Sequence, residues 1–204
     1  MPLKKEITMT ISKTITSFSL FFLMASAVIA GDFVEKIKYS NFKDAEKASQ
    51  YIKIHMESTK FGMLTTGFDG WVKSFGLSGT VKGASILNAV VEFKLNDLDT
   101  DNKARDIKMN EDIFETEKYP NLKVKLVGPL TVGKTGQKLK AIFSVRGKNK
   151  PSQFTISTSK VGNQIKVIGK GVVKLSKLEI PDPSIFIAKV RDEVDIDFEF
   201  LVNE

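Results

Sequence analysis

The sequence contains no cysteine and a single histidine, His55. The lack of cysteine excludes disulfides, thiol chemistry and cysteine-ligated metals, so stability must come from packing and backbone pairing. A transition-metal site would have one imidazole besides carboxylates, which is a poor set of ligands. A serine or threonine nucleophile would depend on that same imidazole, no GxSxG or HExxH motif occurs, and no phosphate-binding glycine loop is expected. We therefore predict no metal site, no catalytic residues and no enzymatic activity.

Long apolar runs are also scarce, apart from residues 17–29 near the amino terminus. This run follows a basic start and ends in small residues at Ala25-Ser26-Ala27 and Val28-Ile29-Ala30, which is typical of a secretory signal peptide. It is shorter than the roughly 20 residues that a membrane-spanning helix needs, so a retained anchor is the weaker alternative. We expect residues 1–30 to be a signal peptide, cleaved after Ala30, and residues 31–204 to form one domain in the periplasm.

Neither sign of charge dominates, with 31 Lys and Arg against 24 Asp and Glu. The formal net charge of +7 falls to +5 without residues 1–30, which hold three lysines and one glutamate. Basic residues are interleaved with acids along the chain, so no basic stripe suited to nucleic acid is evident. We predict no nucleic-acid partner and, at most, transient contact with an anionic membrane surface.

Strand-like alternation of apolar and polar residues is frequent after Ser49, whereas helical periodicity is rare. The alternating segments are residues 86–95, 139–145, 154–157 and 194–200. The last of these places four apolar side chains on one side and three acids on the other. Alternation of this kind indicates antiparallel strands with one buried and one solvated face, and therefore an all-β fold.

Turn residues and short helical segments lie between these strands. Glycine-containing turns predict hairpin connections at residues 133–136, 147–151 and 162–163. A helix is predicted over residues 101–110, with Asp99 or Thr100 accepting a hydrogen bond from its first turn. A second short helix is expected at residues 44–48 and a single helical turn at residues 183–187.

The most specific stretch is residues 99–128, where Thr100, Arg105-Asp106, Phe114 and Tyr119-Pro120 precede an alternating strand. This order resembles the signature of the YceI-like family of periplasmic lipid-binding proteins. Two further blocks are similar to the family, at residues 74–81 and 176–200, whereas residues 32–47 match it poorly. The resemblance implies an antiparallel, lipocalin-like barrel of about eight strands around an apolar tunnel. It also implies a hydrophobic small-molecule ligand, which would be a polyprenyl, quinone or fatty-acyl chain, and no other cofactor.

Eight apolar residues on predicted inward strand faces are the candidate ligand-binding residues. They are Val91, Phe93, Leu126, Phe143, Phe154, Ile156, Phe198 and Phe200. Burying a methylene contributes about 0.8 kcal/mol, so such a site needs shape and dryness and no polar motif. We interpret Arg105-Asp106 as structural, with contact to a polar head group at the barrel mouth as the alternative.

The predicted function is therefore a soluble periplasmic protein that sequesters or carries an isoprenoid or long acyl chain. Two alternatives stay open, namely an enzyme acting on lipid or polysaccharide and a small outer-membrane barrel. The resemblance also leaves room for a homodimer, although no residue marks an interface.

Overall fold

The computed structural model describes residues 30–203, which form one antiparallel sheet of 13 strands. The strands are β1 (Ala30–Lys38), β2 (Tyr51–Lys60), β3 (Leu64–Val72), β4 (Ser74–Lys82), β5 (Ser85–Lys94), β6 (Leu98–Asp99), β7 (Asn121–Leu126), β8 (Leu130–Thr131), β9 (Gln137–Val145), β10 (Lys148–Val161), β11 (Gln164–Lys174), β12 (Ala188–Val190) and β13 (Glu193–Asn203). The predicted all-β antiparallel fold is confirmed, but the predicted number of about eight strands is too low. Three strands, β6, β8 and β12, have only two or three residues, which is too short for alternation to reveal them. The predicted signal peptide lies outside the described residues, apart from Ala30.

The sheet curls around a single apolar core. Its strand order is β1-β4-β5-β7-β9-β10-β11-β13-β2-β3-β6, with β12 added beside β2 and β8 beside β5. The curling brings β1 back towards β13, where the Asn203 side-chain amide donates to the Glu35 carboxylate at 2.6 Å. The inner faces of the strands supply the core, as expected for an antiparallel sheet with one dry side.

Strand β5 keeps an apolar inner face despite a bulge. Asn88 has a φ of +52°, and the register between β4 and β5 shifts at this point. The bulge changes the phase of the alternation, so Ile86 and Ala89 both line the interior although they are three residues apart. The predicted inward residues Val91 and Phe93 line the interior, and the strand ends at Lys94, one residue before the predicted bound of 95.

Two of the three predicted hairpin turns are present. Arg146 and Gly147, both at positive φ, connect β9 to β10, and Gly162 with a φ of +60° begins the two-residue connection to β11. The predicted turn over residues 147–151 is therefore too long, because Lys148–Val161 is strand. Residues 133–136 are not a hairpin turn, since they join β8 to β9 and these strands pair with β5 and β7 instead.

The predicted helices are short, as expected. Helix α1 (Phe42–Glu46) corresponds to predicted residues 44–48, and α2 (Lys103–Lys108) lies within predicted residues 101–110. A single π-helical turn, Met109–Ile113, extends α2. The predicted cap of α2 is wrong, because the Asn102 side chain accepts from the Arg105 N–H at 3.0 Å. Within residues 30–203, no helix has the length and apolar character needed to cross a membrane.

The predicted helical turn at residues 183–187 is also wrong. Ile185 and Ala188 exchange two backbone hydrogen bonds of 2.9 Å across a two-residue β-turn, and Ala188 then enters β12. Pairing of β12 with the end of β2 decides this conformation, which local sequence does not encode.

Candidate functional site

The inner faces of the curled sheet enclose a cavity of about 390 Å³. This volume lies within the range of roughly 300–1,000 Å³ that is common for small-molecule sites. Its lining is almost wholly apolar, and in the described part of the chain only four lining residues have polar side chains. These are Ser58, Ser78, Arg105 and Lys108. The cavity therefore suits a hydrocarbon far better than a polar metabolite.

All eight predicted binding residues line this one cavity. They are Val91, Phe93, Leu126, Phe143, Phe154, Ile156, Phe198 and Phe200. They come from β5, β7, β9, β10 and β13, which the curling of the sheet brings around the same space. Alternation alone located them because each stands on the inner face of its strand. Their contact with a ligand stays a prediction.

A chain of aromatic rings forms one wall of the cavity. The ring centroids of Phe143 and Phe154 are 5.9 Å apart, those of Phe154 and Phe198 are 5.8 Å apart, and those of Phe198 and Phe200 are 5.0 Å apart. Phe75, which does not line the cavity, extends the chain of rings at 5.6 Å from Phe200. These separations are those of favourable aromatic pairs, so the wall is well packed before any ligand enters.

Two glycines that sequence analysis missed make this wall possible. Phe154 on β10 and Phe198 on β13 touch across β11, the strand between them. At Gly171 an added Cβ would lie 2.6 Å from Phe154 Cδ1, and at Gly169 it would overlap the ring of Phe198. The sequence does contain a signal for these positions, because two glycines two residues apart within a strand indicate that another group approaches the backbone closely.

Arg105 contributes to both the cavity lining and the structure of the cavity end. Its guanidinium carbon lies 3.8 Å from the centroid of the Phe68 ring, and its Nε and Nη2 donate to the hydroxyl and carbonyl of Thr100 at 2.8 Å each. The Thr100 hydroxyl donates in turn to Asp106 Oδ1 at 2.6 Å. Burial lowers the pKa of Arg105, and the charge of Asp106 opposes that shift. These contacts agree with the structural interpretation of Arg105-Asp106. Because Arg105 also lines the cavity, they are equally compatible with contact between Arg105 and the head group of a ligand.

The segment between β11 and β12 covers the same end of the sheet as α2. Leu175, Leu178 and Ile180 point into the cavity from this segment. Its Glu179 carboxylate is bonded by both Lys148 and Lys150 at the start of β10. These hydrogen bonds lower the pKa of Glu179 to about 2, and the bond from Lys148 has the larger effect. These ion pairs connect the cover segment to the start of β10.

His55 lies outside the cavity. Its Nδ1 is 2.7 Å from Asp69 Oδ1, and Asp69 also pairs with Lys53 at 2.8 Å. Burial opposes ionisation of Asp69, but the hydrogen bonds from Lys53 and His55 outweigh it and lower the pKa of this carboxyl. Among residues 30–203, no group of three or more His, Cys, Asp or Glu side chains is arranged to hold a metal ion.

One glycine motif escaped sequence analysis. Residues 128–135, GPLTVGKT, have the residue spacing of a phosphate-binding loop, although the sequence analysis expected no loop of this type. A working loop of this type leads from a strand into the N-terminus of a helix, whose amides hold the phosphate. Here the segment leads from β8 into strand β9. The motif therefore lacks the helix that its chemistry requires.

The fold and cavity define a curled antiparallel barrel with an apolar interior. The sequence model of the YceI-like domain matches residues 9–202, and the chain belongs to the YceI-like family. No curated protein sequence matches this chain.

Three solved structures with the same fold are distantly related to this chain in sequence. BcnA from Burkholderia cenocepacia is 17% identical with a TM-score of 0.58, over 75% of this chain and 96% of that protein. A polyisoprenoid-binding domain from Saccharophagus degradans, implicated in plant cell wall breakdown, is 16% identical with a TM-score of 0.53, over 77% and 99%. The YceI protein of Campylobacter jejuni is 20% identical with a TM-score of 0.55, over 66% and 84%. At these identities the likeness concerns the fold alone.

Proposed function

We propose that this protein is a soluble binding protein that sequesters or carries an isoprenoid or long acyl chain in its cavity. The observation that carries the proposal is the continuous apolar lining of the 390 Å³ cavity. Burial of ten methylenes would contribute about 8 kcal/mol, which is the scale of a micromolar dissociation constant before the costs of association. The structural likeness to a polyisoprenoid-binding domain supports the same class of ligand.

The polar end of the ligand would lie near α2. Arg105 and Lys108 are the two cationic residues of the lining, and both belong to this helix. Two of the Arg105 donors are engaged by Thr100, whereas Lys108 lies a turn further along the helix. We expect this pair to favour a ligand with a polar or acidic head group over a plain hydrocarbon.

The absence of a catalytic set around the cavity supports binding without turnover. Ser58 and Ser78 are the hydroxyl-bearing lining residues, and the imidazole of His55 lies on the outer face, paired with Asp69. A nucleophile and its base therefore do not meet in the described lining. The inward apolar faces also disfavour a small outer-membrane barrel, which places polar residues inside and apolar residues outside.

Export to the periplasm is part of the proposal. It rests on the sequence of residues 1–30, and amino-terminal sequencing of protein from a periplasmic extract tests it. A mature chain that begins after Ala30 would support export, whereas intact residues 1–30 in a cytoplasmic fraction would contradict it. A homodimer remains a prediction that light scattering of the purified protein would check.

The direct test of binding is organic extraction of purified protein followed by mass spectrometry. We expect a prenyl, quinone or acyl compound from the natural chain and several-fold less from Ala89→Phe, which places a ring inside the cavity. Ala84→Phe is the matched control, because Ala84 is exposed in the turn between β4 and β5. Consistently empty protein that also binds no added isoprenoid or fatty acid would contradict the proposal.

A further inference from the structure

Six large apolar side chains are exposed together at one end of the molecule. We call this set the hairpin-tip patch, and it consists of Phe61, Met63, Leu64, Ile185, Phe186 and Ile187. Phe186 is fully exposed, and Met63 and Phe61 are 88% and 72% exposed. The patch holds half of the exposed large hydrophobic residues in the described chain, including both exposed phenylalanines. A concentration of this kind marks an interaction surface.

Backbone pairing makes the patch one continuous surface. The turn between β2 and β3 carries Phe61, and the turn before β12 carries Phe186. The Phe61 N–H donates to the Ile187 carbonyl at 3.0 Å, and Lys60 pairs with Ala188 in the ladder between β2 and β12. The two tips therefore project side by side and are held in fixed relation.

The patch adjoins the cavity. Ile185 lines the cavity and is also 51% exposed, so the interior reaches the surface at this residue. Pro183 and Ala188, on either side of the tip, also line the cavity. An apolar ligand that leaves the cavity at Ile185 would meet the exposed tips before it meets bulk water.

Charge around the tips favours an anionic surface. Lys60 and Lys189 are exposed at the bases of the two tips, on opposite faces of the paired ribbon. Between Ser58 and Phe68, and again between Pro183 and Val190, there is no acidic residue. Asp182, directly before the second tip, lies close enough to Lys189 for their charges to interact, so Lys60 is the cation with no acidic group in its own turn. Apolar side chains at the tip and lysines at the base match the layers of a bilayer, which has anionic head groups over hydrocarbon.

We propose that the hairpin-tip patch inserts into the interfacial layer of an anionic lipid bilayer and sets the cavity opening on the membrane surface. The patch is less suited to pairing two copies of the chain, because a stable interface uses about 20–30 residues a side. Docking also differs from the nonspecific attraction that net charge alone produces, because it depends on named apolar side chains. It requires no cargo, so it is testable separately from lipid binding in the cavity.

The first experiment measures cosedimentation with vesicles of equal parts phosphatidylglycerol and phosphatidylcholine. We expect the natural chain to bind and the double variant Phe61→Ser, Phe186→Ser to bind at least about tenfold more weakly, since two exposed aromatic anchors are lost. Val161→Ser is the matched control, because Val161 is 51% exposed beside the turn at the opposite end of the sheet. It should bind like the natural chain.

The contribution of the two lysines to membrane binding is measured with the same vesicles. Lys60→Gln and Lys189→Gln should each weaken binding about fivefold at low salt, and less on vesicles of phosphatidylcholine alone. Equal binding by the natural chain and the double phenylalanine variant would overturn the proposal, as would failure of the natural chain to bind either vesicle. A natural dimer that the double variant converts to a monomer, without vesicle binding, would assign the patch to self-association and overturn it too.

A second measurement does not depend on loss of binding. The natural chain has one tryptophan, Trp71, which is buried. In a Phe186→Trp variant we expect a blue shift of emission when phosphatidylglycerol vesicles are added, and quenching by brominated acyl chains. The natural chain provides the background from Trp71. Unchanged emission from the variant in the presence of excess vesicles would overturn insertion of the tip.

Discussion

Phe198 on β13 is the direct cross-strand partner of Gly169 on β11, and its ring occupies the space that a Cβ at residue 169 would fill. The arrangement lets Phe198 lie flat against the wall and touch Phe154 and Phe200. A glycine normally weakens a strand, because it has no side chain to pack and loses more entropy on folding. Here the covering ring supplies the missing contact, and the cavity keeps the volume that an upright ring would take.

Gly169→Ala should therefore push the Phe198 ring into the cavity. We expect the free energy of unfolding to fall by about 1–2 kcal/mol, as for other overpacked cores, and bound lipid to decrease. Urea unfolding and lipid extraction measure the two effects. Adding Phe198→Leu should restore much of the stability, because a smaller side chain leaves room for the new methyl group.

Gly76→Ala is the control for this experiment. Gly76 also lies within a strand, but its nearest neighbours would be 3.8 Å from an added Cβ. It should be tolerated with lipid content unchanged. If Gly169→Ala behaved like Gly76→Ala in both measurements, the contact between Phe198 and Gly169 would have no role in shaping the cavity.

The hydrogen bonds made by Arg105 predict that its replacement destabilises the protein more than Gly169→Ala does. Arg105→Leu removes both hydrogen bonds to Thr100, which is only 3% exposed, and leaves Asp106 without its neighbouring cation. Loss of charged hydrogen bonds to a buried group should cost about 2–4 kcal/mol of unfolding free energy. Arg105→Lys should recover only part of this, because an ammonium group cannot reproduce the planar fork. Chemical denaturation of the three proteins checks the order, and equal stability of Arg105→Leu and the natural chain would contradict it.

The sequence predicts the strands and their inward faces better than it predicts the shape of the site. Period-two alternation in β13 was sufficient to place Phe198 and Phe200 inside, because a strand offers its side chains only two faces. It was not sufficient to find Gly169 or to predict a hollow interior, since cavity volume depends on how side chains from different strands meet. The exposure of Phe186 was likewise hidden, because local sequence does not say how far a paired turn projects from a sheet.

The ion pairs of Glu179 predict that the stability of the cover segment depends on pH. Its folded pKa of about 2 lies below the ordinary value of 4.5. The stabilisation from Lys148 and Lys150 is thus fully present above about pH 4.5 and is lost as the pH falls through the folded value. We expect the difference in unfolding temperature between the natural chain and Glu179→Gln to be largest near pH 5 and to shrink towards pH 2. Because these side chains are exposed, high salt should reduce the difference at pH 5.

Hydrogen exchange shows whether that effect is local. At pH 5, Glu179→Gln should speed exchange at the Leu178 and Ile180 amides, while amides in the centre of β13 stay protected. Glu117→Gln is the control, since Glu117 is exposed in the loop before β7. Identical exchange in the cover segment of both variants would mean that the ion pairs at Glu179 do not hold it.

The position of Lys108 in the cavity lining predicts that the protein prefers ligands with an acidic head group. This prediction rests on the proposed lipid binding. The residue lines the cavity from α2, whereas Lys103 is exposed on the same helix and does not. Lys108→Gln should weaken binding of a fatty acid by up to about fivefold, the upper range for a partly exposed ion pair, and leave the alcohol of equal chain length unaffected. Lys103→Gln should change neither, because its side chain is outside the cavity. Competition for a fluorescent acyl probe measures both ligands, and an equal loss for acid and alcohol would show that Lys108 acts through packing and not through its charge.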